Sequence, residues 1–122
     1  MILIRTDAST ELGTGHAMRC LALTQALRDR GSAVALAAAT LPATIAERYR
    51  DEGAEVMPLD VTSGSQGDVT ATLALADRLG AEWIVVDGYG FDDRYVDALH
   101  ELIDKKMKMK GRKIKPEEEE AP

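Results

Sequence analysis

Apolar residues in this chain come in short runs that alternate with longer stretches of helical spacing. Ile2-Leu3-Ile4 belongs to a run, 2–6, that reads as a buried parallel strand. Ala17, Cys20, Leu21, Thr24 and Leu27 then recur at i, i+3, i+4 spacing, with Leu23 widening the face, which predicts a helix from His16 to Arg30 capped by Gly31. Residues 33–38 form a second apolar run, rich in alanine, which suits tight packing against helices. Pro42 opens the next helix at its first turn, Ile45 and Tyr49 face inward, and Gly53 closes it. Residues 54–59 read as a third strand, with Pro58 favouring an edge position or the strand end. A polar loop follows over 60–67. Asp68 is the expected N-cap of a third helix, with Val69, Leu73, Ala76 and Leu79 inward and Gly80 at its end. Residues 82–86 are the clearest strand, and Asp92 or Asp93 is expected to cap a fourth helix that buries Tyr95, Val96, Leu99, Leu102 and Ile103.

This βαβαβαβα alternation predicts an α/β domain: a parallel sheet with right-handed crossovers and helices on both faces. The expected strand order is 3-2-1-4, with the switch point between the first and fourth strands. That order brings the Gly13–His16 loop beside the Asp87–Gly90 loop, where open α/β sheets bind ligands. After Asp104 the pattern changes. Met107 and Met109 alternate with lysines, which fits a half-buried fifth edge strand at 106–110 or the fraying end of a helix. Residues 116–122 have nothing to bury and are expected to be disordered. A sheet of only four strands leaves an apolar edge at the fourth, from which a homodimer is expected.

Charge sharpens the break. The whole chain of 122 residues carries −6, but residues 1–104 carry −9 and residues 105–122 carry +3. All six lysines lie at or after Lys105, and every basic residue before it is arginine. A domain over 1–104 and a basic, then acidic, tail over 105–122 follow from this. A fusion scar, an engineered or frameshifted end, and a natural basic tail each account for it. The acidic body argues against a nucleic-acid partner. No apolar run approaches the roughly 20 residues that span a bilayer. With one cysteine, Cys20, and no charged-then-apolar opening segment, the expected compartment is the reducing cytoplasm.

The chemistry-bearing stretch is Thr6 to His16. Gly13-Thr14-Gly15 supplies G-x-G after a strand, but a third glycine would fall at Met18, and the second strand ends Ala38-Ala39-Thr40 with no acid for a ribose hydroxyl. Both points count against a dinucleotide site. No Gly-Lys-Ser/Thr follows, so the loop is not a Walker loop. One cysteine and two distant histidines, His16 and His100, do not make a zinc ligand set, and neither a metal nor a cofactor is expected. Gly13 and Gly15 either uncover backbone N–H groups for a ligand's anion or simply permit the turn. His16 falls at a helix start, whose positive dipole end disfavours imidazolium and leaves the ring able to accept a proton; a capping or surface histidine is the alternative. Arg19, one turn on, could pair with Asp7 or meet an anionic group. Asp7 and Asp87 end the first and fourth strands, at positions used by site residues and by loop caps alike. Tyr89, between two glycines, is exposed unless something packs on it. Cys20 reads as a small core residue and His100 as surface.

Two stretches together carry a resemblance. Arg5-Thr6-Asp7-Ala8-Ser9 through Gly13-Thr14-Gly15-His16-Ala17-Met18-Arg19-Cys20-Leu21-Ala22-Leu23, with Val85-Val86-Asp87-Gly88-Tyr89-Gly90, are similar to the pseudaminic acid pathway hydrolases. These are UDP-2,4-diacetamido-2,4,6-trideoxy-β-L-altropyranose hydrolases, related to spore-coat polysaccharide biosynthesis proteins. The similarity covers about residues 1–104. It implies the N-terminal, Rossmann-like half of a GT-B enzyme that removes UDP from the sugar by water attack at the anomeric carbon, with inversion and without a metal. The family's glycine-loop histidine maps to His16 as the acid/base group and its tyrosine to Tyr89 near the sugar. Asp7, Gly15 and Arg19 match the loop that shapes the sugar and phosphate pocket. In the family a second half carries most uridine and diphosphate contacts, so little or no activity is expected from this chain alone.

Overall fold

The computed structural model describes residues 1–110. Eight elements alternate: β1 (Ile2–Thr6), α1 (Gly15–Asp29), β2 (Val34–Ala38), α2 (Ala43–Asp51), β3 (Glu55–Pro58), α3 (Gln66–Leu79), β4 (Trp83–Asp87) and α4 (Asp93–Lys110). The four strands form one parallel sheet in the order β3-β2-β1-β4, a Rossmann-like arrangement. The strand order expected from the pattern is the one observed.

Side-chain alternation along the strands divides the core into two layers. Ile4, Val34 and Leu36 face α1 and α2, where they pack with Ala17, Leu21, Ile45 and Tyr49. Leu3, Ala35 and Ala37 face the other way, against Leu75 and Ala76 of α3. Val69 and Leu73 of α3 meet Tyr95 and Leu99 of α4 over Ile84 and Val86. The alanines of β2 are buried and let helices approach both faces closely. Leu23, placed on the inner face of α1 by spacing, is exposed instead.

Helix ends follow local chemistry with one correction. Gly80 ends α3 in the left-handed conformation (φ 68°), and Asp92 Oδ1 caps α4 by accepting from Tyr95 N at 3.1 Å. Pro42 sits at the cap of α2, one residue before the helix begins. The cap of α3 is not Asp68 but Ser65, whose Oγ accepts from Asp68 N at 3.1 Å. Asp68 lies inside the first turn and is fully buried.

The segment 106–110 is helical, so among the described residues there is no fifth strand. Alternating Met and Lys still fits a helix, because α4 needs only one apolar stripe. Ile103 and Met107, four apart, continue that stripe along a cleft of about 430 Å³ beside β4. The compositional break at Asp104 therefore falls within α4, and Lys106 beyond it bonds Asp77 of α3. Residues 116–122, expected to be disordered, lie outside the described residues. No described helix is long and apolar enough to cross a membrane.

Candidate functional site

The site lies at the carboxyl ends of β1 and β4, the switch point of the sheet. Thr6 pairs in register with Asp87, and Thr6 Oγ1 donates to the Asp87 carbonyl at 2.7 Å. This fixes the two strand ends side by side and sets the Asp87 carboxylate under the first turn of α1.

Three side chains of α1 converge on that carboxylate. Arg19 grips it with both prongs, Nη2 to Oδ1 at 2.7 Å and Nε to Oδ2 at 2.9 Å. His16 Nδ1 lies 2.9 Å from Asp87 Oδ1, and Cys20 Sγ lies 3.6 Å from Oδ2. They share a face because 16, 19 and 20 are three and four residues apart on a helix. The Arg19 guanidinium holds the Asp87 carboxyl below the usual carboxylate range; modest burial opposes this and His16 assists it. An ionised carboxylate can only accept, so a bond to Asp87 needs the imidazole proton on Nδ1, whereas Arg19 Nη2, 3.1 Å from the same Nδ1, could bond it only as an acceptor. With the proton on Nδ1, Nε2 is the ring atom with a free lone pair and can take a proton. The Tyr89 ring meets His16 edge-on, with centroids 4.7 Å apart, and is otherwise 79% exposed.

Asp7, His16, Leu12, Ser63, Gly88, Tyr89, Gly90 and Phe91 line one cleft of about 220 Å³. Gly13 (φ 84°) turns the loop back on itself, with its N–H on the Ser9 carbonyl at 2.8 Å and Leu12 N on Ser9 Oγ at 2.9 Å. For Gly13 the turn reading holds, and its amide is taken. Gly15 opens α1, and a Cβ there would meet nothing. Thr14 caps α1 without a side-chain bond, so the amides of Gly15, His16 and Ala17 have no acceptor among the described residues. Such amides favour an anion or a partly negative oxygen.

Arg19 pairs with Asp87, not with Asp7. Asp7 faces the other layer and is bound to Arg5 Nη1 at 2.8 Å, Ala39 N at 2.7 Å and Ser63 Oγ at 2.6 Å. Its carboxylate forms the floor of the cleft and ties three strand-end loops together. Cys20 is a core residue: burial first, then the Asp87 charge, pushes its thiol up to about 12. His100 is on α4, beside the apolar cleft at β4 and apart from His16.

Beneath the cleft is a buried charge cluster that reading the sequence missed. Arg5, fully buried, makes a bidentate pair with Asp68 (Nε–Oδ1 3.0 Å, Nη2–Oδ2 2.7 Å) and lies over the Phe91 ring. Asp68 also accepts from Thr72 Oγ1 at 2.9 Å, Tyr95 OH at 2.9 Å and Gly64 N at 2.9 Å. Burial pushes both carboxylates up, but the Arg5 interactions with their other hydrogen bonds outweigh it and hold Asp7 and Asp68 below the usual range. Two signals were present: an arginine inside an otherwise apolar strand must be paired, and Asp7 is two residues on, hence on the same strand face.

Comparison with protein-family models, with curated proteins and with solved structures finds no match. The functional reading therefore stands on the motif resemblance and on this geometry.

Proposed function

We propose that the chain is the sugar-facing half of a UDP-sugar hydrolase, with His16 as its acid/base group. The observation that carries this is the His16–Asp87 contact at 2.9 Å in a residue that lines a cleft between two strand ends; a proton held on Nδ1 by Asp87 leaves Nε2 to act. In the reaction, a water oxygen attacks the anomeric carbon and gives its proton to His16 Nε2. The anomeric C–O bond breaks and its electron pair leaves with UDP. Asp87, shared with Arg19, orients the imidazole through Nδ1, as an orienting carboxylate does for a catalytic histidine. The open amides at the start of α1 face the developing negative charge. The substrate implied by the resemblance is a UDP-linked diacetamido-trideoxy sugar, and no metal or other cofactor enters the scheme.

The cleft offers a diphosphate no Arg or Lys side chain, only the open amides at the start of α1. Arg19 is already neutralised by Asp87, and the Gly13 amide is taken. Turnover accordingly needs a companion GT-B half that binds the nucleotide. The same observation supports a second reading, a sugar-binding module that acts only with a partner chain.

UDP release from UDP-2,4-diacetamido-2,4,6-trideoxy-β-L-altropyranose separates these. We expect none from the chain alone, release once a C-terminal GT-B half is added, and loss of that release in His16→Ala. Release by the chain alone would contradict the half-site. Binding without release in the presence of the second half would favour the sugar-binding module. Full turnover by His16→Ala would remove His16 from its role.

A further inference from the structure

The cleft has a third wall that comes from the far side of the sheet. After β3, at the opposite edge, the chain crosses the ends of β2 and β1 and reaches the loop that follows β4. Its contact there is close: a Cβ on Gly64 (φ 82°) would lie 2.3 Å from the Gly90 carbonyl oxygen, and one on Gly90 would lie 3.1 Å from Ser63 Oγ. Gly64 N is anchored on Asp68 Oδ2 at 2.9 Å and Ser63 Oγ on Asp7 Oδ2 at 2.6 Å. The wall is thus held at both ends by the two carboxylates that Arg5 pairs.

Ser63 is exposed and lines the same cleft as His16 and Tyr89. Its single hydroxyl hydrogen is directed to Asp7, an ionised acceptor, so it offers a ligand only lone pairs. The cleft lining therefore sets an oxygen acceptor at Ser63 on one side and, at His16, the uncapped first turn of α1 on the other. We propose that Ser63 is a specificity-determining residue that accepts a hydrogen bond from an N–H or O–H of the ligand, orienting the sugar's donor-bearing edge toward β3 and its phosphate toward α1. This rests on the nucleotide-sugar reading above.

The test compares two probes, the UDP-diacetamido-trideoxy sugar and UMP, by amide chemical-shift titration of the full chain in the presence of the C-terminal GT-B half. Ser63→Ala should weaken the UDP-sugar about tenfold, the worth of one hydrogen bond, and leave UMP unchanged. Ser63→Thr, which keeps the oxygen and its proton, should restore binding. Sugar analogues in which each acetamido N–H is replaced in turn by oxygen add a cycle. At least one should lose about as much on the wild-type chain and nothing further on Ser63→Ala. Equal weakening of both probes, or no weakening, would overturn the role of Ser63 while sparing the nucleotide-sugar reading. Failure of the wild-type chain to bind either probe would overturn that reading and this inference with it.

Discussion

At the scale of single residues, the buried arginine sets the sharpest expectations. Arg5 neutralises two carboxylates that the fold encloses, so Arg5→Met should destabilise by roughly 3–5 kcal/mol, measured by urea unfolding, because it strands buried negative charge. Tyr95→Phe removes one of several donors to Asp68 and should cost about 1–2 kcal/mol. An Arg5→Met variant as stable as the wild type would mean that the cluster is not a closed network. Cys20 gives an independent check. With its thiol pushed up to about 12, alkylation at pH 8 should proceed only through unfolding, and its rate should follow global stability. Of these residues, His16, Asp87 and Tyr89 could be placed from the sequence, because strand ends and helix starts fix where they lie. The partner of Arg19 could not. Asp7 and Asp87 both end neighbouring strands, and only the alternation of faces, read with the register Thr6–Asp87, assigns Arg19 to the second.

At the scale of elements, the long βα loops were the least legible part. Strand and helix periods gave all eight elements, because each buries a clear face. The loop 60–65 has no such period, and its role rests largely on Asp7 and Gly90, distant in sequence, so Ser63 and Gly64 read as plain linker. Asp68 reads as a cap because it stands just ahead of an apolar helical pattern. The helix starts one turn earlier, and Ser65 does the capping while Asp68 turns inward to Arg5. Gly64→Ala should therefore cost roughly 1–3 kcal/mol through its left-handed backbone and the Gly90 contact, and the amide signals of 88–91 should move with it. Ser65→Ala should cost only about 1 kcal/mol and leave those signals in place. Identical shifts in the two variants would argue against a distinct latch between the loops.

At the scale of the molecule, acid should weaken the fold in a defined window. Asp7 and Asp68 both have folded values below those of an unfolded carboxyl. Their contribution is complete above about pH 4, the unfolded value, and is lost as pH falls through the folded values. Urea midpoints should hold from pH 7 to about 5 and then drop, and less steeply in Asp68→Asn, which starts lower. The sheet itself ends asymmetrically. β3 carries Pro58 and Glu55, which blunt an edge, whereas β4 carries Trp83, 71% exposed, beside the apolar cleft. The expected homodimer through this edge predicts concentration-dependent sedimentation that Trp83→Glu reduces, and a single monomer boundary at all concentrations would contradict it. The proposed hydrolysis depends on which nitrogen of His16 is free and whether the cleft uses it. The most direct measurement is the ring ¹⁵N spectrum of His16 at about pH 8, where an ordinary imidazole is neutral, recorded before and after adding the UDP-diacetamido-trideoxy sugar. A protonated Nδ1, a bare Nε2 and a saturable shift of the Nε2 resonance are expected. A bare Nδ1, or an Nε2 signal that ignores the ligand, would contradict the proposed hydrolysis.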